Sequence, residues 1–478
     1  GATTVRWCSR RLLEQARRRE LAQARRSIEA VDLSTFARFV QRWQHLDNTT
    51  KLDGDDAASR AMARLYGIAR PAELWEREYL PARIAGYDSA ALSRLISLGE
   101  LIWIGGGTAG PQGQRGELST IRFVRRGSAR GWISDLESQP GVSENARRVL
   151  DALRQDGASF FDELSASVSS SARALRDALH ELAGAGLVTN DTMESMRLVA
   201  RWRPVISARD RNQPDPTRWL PADFARSANR PVVQRRPNLR RLPKWKRPDK
   251  EDSDVVSWPG RWSLVRTPGV LGAEADESAW GEAVARQLLQ RYGVVSREMW
   301  RRERPAISWR AIYRELKRLE FRGDVRRGYF VRGLSGAQFA LPEAVEELRS
   351  AKAPDASPIV MSASDPANVF TLPAPGDAAR DAFVRTHGRA SLVVTIDGTA
   401  LMIVERRGER ILIRPAATAE AVTHAAQAVA EHVSRRTRRD MVVQSIDGQP
   451  ASGSRWVDAF RAAGFNLSTA GLRYYLAV

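Results

Sequence analysis

The residues best suited to chemistry lie between Ser308 and Arg332, and the chemistry they offer is phosphate binding. Arg310, Arg314, Lys317 and Arg318 recur at helical spacing, whereas Trp309, Ile312, Tyr313, Leu316 and Leu319 fall on another face of the same segment. One side packs and the other is cationic. Beyond Gly323, the stretch Val325-Arg326-Arg327-Gly328-Tyr329-Phe330-Val331-Arg332 reads as two short strands about a basic turn at Gly328. Arg326, Arg327 and Tyr329 would stand at that turn. Guanidinium donors are planar and paired, which suits phosphate oxygens. A solvated arginine face would give the same pattern in a lone helix, but a hairpin carrying the same charge favours nucleic acid.

The elements that must position these residues precede them. Trp280, Val284 and Leu288 recur every fourth position in a first helix, and a short second helix, Ser296 to Trp300, follows the turn at Gly293. Three helices followed by a hairpin describe a winged helix, whose third helix is placed to enter a major groove. The plan occurs twice upstream. Phe36, Phe39, Val40 and Trp43 sit at helical spacing behind a cap at Asp32 or Ser34; helices around 57–66, 71–79 and 90–98 and strands 100–104 and 119–124 follow. Ser143 to Asp191 repeats the plan more compactly, with Arg173, Arg176 and His180 set apart from Leu175, Leu179 and Leu182. There the cationic face is thin, and a packing module and a DNA contact remain equally open.

Between 204 and 258 the chain is rich in proline and basic residues, a composition that cannot bury enough apolar surface to fold alone. Arg240, Arg241 and Lys244 could still hold phosphates, and Trp245 could stack on a base. After 351 the pattern turns to short strands, 359–361, 392–395, 401–404 and 411–413, with Asp397-Gly398 and Arg407-Gly408 as hairpin turns. This suggests a small barrel or curled sheet. The expected class is α+β, tandem winged-helix modules followed by a barrel-like domain. Its divisions are 1–126, 127–203, the linker 204–258, 259–350 and 351–478.

At 478 residues and a net charge of +19, the chain should hold several modules and favour anionic partners, nucleic acid before membrane surface. No apolar run is long enough to span a bilayer and no signal-peptide core opens the chain, so the expected setting is cytoplasmic. Cys8 is the only cysteine, and the histidines lack ligand spacing, so no metal site is expected. Asp53-Gly54-Asp55-Asp56 lacks the closing Glu of a calcium loop, and no Gly-Lys-Ser/Thr follows Gly105-Gly106-Gly107. The first residue is Gly1, so the chain is read as a piece of a longer protein.

Several blocks together resemble the C-terminal region of the Lhr ("large helicase-related") bacterial DNA helicases. They include Phe39-Val40-Gln41-Arg42-Trp43, Trp75-Glu76-Arg77, Leu80-Pro81-Ala82-Arg83, Gly186-Leu187-Val188-Thr189-Asn190-Asp191, Arg291-Tyr292-Gly293, Gln338-Phe339-Ala340-Leu341-Pro342 and Ser364-Asp365-Pro366-Ala367-Asn368. The resemblance implies winged-helix modules and a β-barrel appended to an ATP-driven translocase in the same polypeptide, acting on DNA in repair, with self-association as a homo-oligomer a further expectation. ATP and Mg would belong to that helicase core, whose motifs are missing here, so no cofactor is expected in this chain and no membrane partner. The region also looks like the AlkZ/YcaQ DNA glycosylases. Their Gln-x-Gln or Gln-x-Asp pair is absent where it should fall, since this chain has Ala69-Arg70-Pro71. The alternative function is therefore a glycosylase excising uracil or an alkylated base with a carboxylate of the barrel domain. Asp365 is the candidate.

Overall fold

The computed structural model describes residues 29–107, 118–133, 141–204, 257–274, 276–351, 357–372 and 392–476, with a few isolated residues elsewhere. Arg240, Arg241, Lys244 and Trp245, and most of the linker, lie outside the described residues. No helix among the described residues is long and apolar enough to cross a membrane.

Helix Leu33–Trp43 begins where the Asp32 carboxylate accepts from the Thr35 amide at 2.8 Å. Its buried face, Phe36, Phe39 and Val40, shares one apolar cluster with Leu288, Tyr292 and Phe339 of the third module and with Met361 and Val393 of the C-terminal sheet. Burial of each such side chain contributes about 1.5–3 kcal/mol. This helix therefore packs chiefly against modules that follow it by hundreds of residues. Gly293 marks the closeness of that packing. Its φ is +66°, and a Cβ there would stand 2.6 Å from the Phe39 ring.

The remainder of the first module joins the second. Strands Leu101–Gly107 and Leu118–Arg125 pair antiparallel, and Ala69–Arg70 adds a third strand. A Cβ on Gly105 would come within 2.2 Å of the Ala183 carbonyl oxygen, so only glycine lets this strand approach the second module's third helix, Ala172–Gly184. The second module has helices Glu144–Gln155, Phe161–Ser167 and Ala172–Gly184, then the further helix Met193–Arg201. Its sheet is completed from beyond the linker: Arg261–Leu264 pairs with Ser159–Phe160 and Val188–Asn190. The expected start of the third module at 259 thus falls on residues that hydrogen-bond to the second. Trp258 and Trp262 are buried in that module's core, 5.9 Å apart, which is why the chain rejoins it there.

The third module comprises helices Glu277–Tyr292, Arg297–Glu303 and Trp309–Arg322, with a sheet in which Gln338–Ala340 lies between Val294–Val295 and Arg326–Gly328. The wing differs from the hairpin expected about Gly328. Strand Arg326–Gly328 pairs instead with Gln338–Ala340, and Phe330 and Val331 turn inward. One buried side chain causes this. Gln338 Oε1 accepts from the amides of both Phe330 and Val331 at 2.9 and 2.8 Å, while its Nε2 donates to the Val331 carbonyl. Val31 bridges the same segment from the other side.

In the C-terminal domain, strands Ile359–Ser362, Leu392–Ile396, Thr399–Glu405 and Arg410–Ile413 run antiparallel in sequence, then Ser445–Ile446 and Gln449–Pro450 continue the sheet. Asp397 and Gly398 both have positive φ, as a tight two-residue hairpin requires. Of the small barrel or curled sheet expected here, the described residues form a six-stranded sheet whose edge strands Ile359–Ser362 and Gln449–Pro450 do not pair with each other. Both faces are covered by other layers. Val393, Ile403 and Met361 face the winged-helix core, whereas Val394, Met402 and Val404 pack with Val422, Ala426 and Val429 of helix Ala419–Thr437.

Candidate nucleic-acid interface

Helix Trp309–Arg322 starts at Ser308, whose hydroxyl accepts from the Ala311 amide, and ends at Gly323 in the left-handed conformation. Ile312, Leu316 and Leu319 are buried, which turns Arg310, Arg314, Lys317 and Arg318 to the surface as expected. They are not equally available. Glu315 accepts from Arg314 at 3.2 Å and from Arg318 at 3.1 Å, and Ser278 also accepts from Arg318. Neither Arg310 nor Lys317 makes an ion pair among the described residues. Phe321, 53% exposed, lies among these cations on the same helix, and Tyr329 is 49% exposed on the wing. Arg326 pairs with Glu346 at 3.1 Å, and Arg327 lies 5.8 Å over the Tyr313 ring. The face thus offers free cations, cations held in register by carboxylates, and exposed rings, which together suit a phosphate backbone.

The matching helix of the second module is different. Arg173 is exposed, but Arg176 is only 3% exposed, with its guanidinium 5.6 Å from the Phe161 ring and 5.5 Å from Trp202. Arg176 therefore does not face solvent, contrary to its place among the expected DNA contacts. Helix Met193–Arg201 carries Trp202 back over that face, and the Trp202 Nε1 donates to Asp177 at 2.8 Å.

Asp365 is also enclosed. It is 2% exposed, accepts from Arg83 on both oxygens at 2.8 and 2.9 Å, and accepts from the Ala367 amide at 2.8 Å. Arg83 also donates to Gln44 Oε1 at 2.8 Å and to the Tyr79 carbonyl at 2.9 Å. The Asp-Pro turn is thus tied to the first module. Arg70 donates to the Ser364 carbonyl at 2.8 Å, and Arg302 to the carbonyls of Pro366 and Asn368 at 2.6 and 2.7 Å.

These contacts border a second buried centre that sequence reasoning missed. Glu303 is fully buried, 3.6 Å from Arg70, 3.6 Å from Arg291 and 3.5 Å from Arg302, and it accepts from the Tyr292 hydroxyl. Burial alone would raise its pKa; Arg70, Arg291, Arg302 and the Tyr292 hydrogen bond hold it at about 2. Burial pushes the Tyr292 hydroxyl up to about 12 and lowers Arg122 to about 10. Arg291 donates into the first module, to the carbonyls of Arg64 and Tyr66. This carboxylate, with its guanidiniums, joins the first module, the third and the turn 364–368. A sequence signal existed: Arg291 follows Val284 and Leu288 on the packed face of its helix, where a cation needs a buried partner.

The blocks that carried the resemblance meet here: Arg83 touches Asp365, and Arg291 and Tyr292 surround Glu303. Comparison with known proteins agrees. Residues 31–126 and 274–359 each match a winged-helix domain of large helicase-related protein. The chain is 30% identical over 484 residues to the "Lhr helicase/ probable uracil glycosylase" of Mycolicibacterium smegmatis, and 26% identical over 492 residues to the "Lhr helicase/uracil glycosylase" of Escherichia coli. Each alignment covers 98% of this chain and 30% of the relative, so the chain spans under a third of their length. Streptomyces sahachiroi DNA glycosylase AlkZ superposes over 88% of this chain and 99% of its own, with a TM-score of 0.47 and 16% identity. The chain thus carries two winged-helix domains of the large helicase-related (Lhr) type and is similar along nearly its whole length to a region of these relatives.

Proposed function

We propose that this chain is a DNA-binding region of an Lhr-type repair helicase, holding nucleic acid by phosphate neutralisation on helix Trp309–Arg322 and the adjoining wing. The observation that carries the reading is that exposed Arg310 and Lys317, without an ion pair among the described residues, line one concavity with the exposed ring of Phe321 on a winged helix whose wing exposes Tyr329. Such a surface gives affinity with little base readout. ATP and Mg would serve a helicase core elsewhere in the same polypeptide, and self-association belongs to the same proposal. Titrating a labelled oligonucleotide at increasing salt tests it: log affinity should fall linearly with log salt, with the slope reduced by removal of Lys317. A salt-independent affinity would reject the reading, and a monomer mass by light scattering would reject self-association.

A second reading, uracil excision, is favoured by the names of the two curated relatives. The placement of Asp365 weighs against it as the catalytic acid, because Arg83 and the Ala367 amide already occupy its oxygens. Incubation with uracil-containing DNA followed by alkali should cleave the strand if the chain excises bases. An Asp365→Asn protein that stays folded and fully active would assign the chemistry to another carboxylate.

A further inference from the structure

A pocket of about 300 Å³ lies far in sequence from the third module's helix, between helix Leu33–Trp43, the loop 46–51, the edge strand Ile359–Ser362 and helix Ala419–Thr437. Its charges do not balance. Arg38 pairs with Asp397, Arg435 with Glu431 at 3.1 Å, and His432 with Glu78 at 2.9 Å. Asp47 is engaged by the amide and hydroxyl of Thr49 at 2.8 and 2.7 Å. That leaves Arg42 and Lys51 without an ion pair among the described residues, and Arg436 donating to the Arg77 carbonyl with Glu78 as its counter-charge. The lining thus sets five cations, Arg38, Arg42, Lys51, Arg435 and Arg436, against three carboxylates, Asp47, Asp397 and Glu431. Burial and the nearby Arg436 and Arg435 lower the Lys51 pKa, a crowding that a bound anion would relieve.

We infer that this pocket binds a phosphate group of a nucleic-acid strand, as a second contact separate from helix Trp309–Arg322. Phosphate is indicated by Arg42 and Lys51, which make no ion pair among the described residues, with Arg436 close by. A phosphate carried on a nucleotide is indicated by the rest of the wall: Leu46, Pro81 and Ile359 give an apolar side against which a sugar or base can lie, and the volume falls in the range of small-ligand sites. Lys51 stands at the rim, exposed, and its stem lets the ammonium follow the phosphate.

The test uses the whole chain and two fluorescent single-stranded oligonucleotides of one sequence, one 5′-phosphorylated and one 5′-hydroxyl. Binding is read by anisotropy for wild type, Arg42→Glu/Lys51→Glu, Arg314→Glu/Lys317→Glu and the combined protein, with thermal melts as a folding control. The inference predicts at least a fivefold loss in the pocket variant and a multiplicative loss in the combined protein. Loss confined to the 5′-phosphorylated strand assigns the pocket to a strand end; equal loss for both assigns it to backbone phosphates. If Arg42→Glu/Lys51→Glu melts and binds both strands like wild type, the inference is overturned. Should the double variant fail to fold, the single Lys51→Gln variant, altered only at an exposed position, decides the question by the same loss or its absence. A loss here with none on reversal of Arg314 and Lys317 would sustain the pocket and refute the primary interface.

Discussion

The third helices of the second and third modules occupy equivalent places in the same winged-helix plan, yet they use arginine in opposite ways. In Ala172–Gly184, Arg176 is drawn under Phe161 and Trp202, because the following helix returns over that face. In Trp309–Arg322 nothing returns among the described residues: the chain leaves through Gly323 into the wing, and the cationic face stays open. Position within a winged helix therefore does not decide whether an arginine stays open to solvent. What decides it is whether a later element covers the helix, and in the second module that element is a tryptophan placed by a helix the basic plan does not require.

The contrast extends to the buried centre, where cations also serve as structure, and the largest effect is expected there. Replacing Glu303 by Ala leaves Arg70, Arg291 and Arg302 without a carboxylate and should cost about 3–5 kcal/mol of stability, read by denaturant unfolding. Its pH dependence has a definite sign. Since the folded-state pKa of Glu303 lies at about 2 and its ordinary value is 4.5, its contribution is complete above pH 4.5 and is lost as pH falls towards 2. Glu303→Gln should flatten the stability profile in that window, and an unchanged profile would remove Glu303 as the source.

A smaller effect should separate the two helices. Arg176→Ala is expected to destabilise the chain by about 1–3 kcal/mol through lost packing against Phe161 and Trp202, with DNA affinity unchanged in protein that remains folded. Arg310→Ala, at an exposed position, should leave the melt within experimental scatter and weaken DNA binding by a few-fold. Exchanged outcomes would mean that the faces have been assigned the wrong way round.

Much of this is legible in the sequence because local patterns determine it. Ser308 as cap, Ile312, Leu316 and Leu319 as the packed face and Gly323 as the stop define the third module's helix within a residue of its ends. The strands after 357 are legible from their β-branched runs and turn residues. The wing is not, because its partner strand is Gln338–Ala340 and its shape is imposed by the side chain of Gln338, which has no local periodicity. Arg176 reads as a surface cation because its cover, Trp202, stands on a helix absent from the expected plan. Strand Arg261–Leu264 reads as part of the third module because its true partners lie across the linker. The cover of the C-terminal sheet is likewise hidden: strand runs announce burial on both faces, not what does the burying.

The most direct measurement of the central claim sets the two helices side by side in one titration series at moderate salt, with each variant shown folded by its melt. Arg314→Glu/Lys317→Glu should weaken DNA binding by more than about tenfold and flatten its salt dependence, as expected when phosphate contacts become repulsive. Arg173→Glu, the exposed cation of the second module's helix, should change affinity by less than about twofold. Equal losses from both helices, or wild-type affinity in the folded Arg314→Glu/Lys317→Glu protein, would contradict the assignment of the interface to the third module.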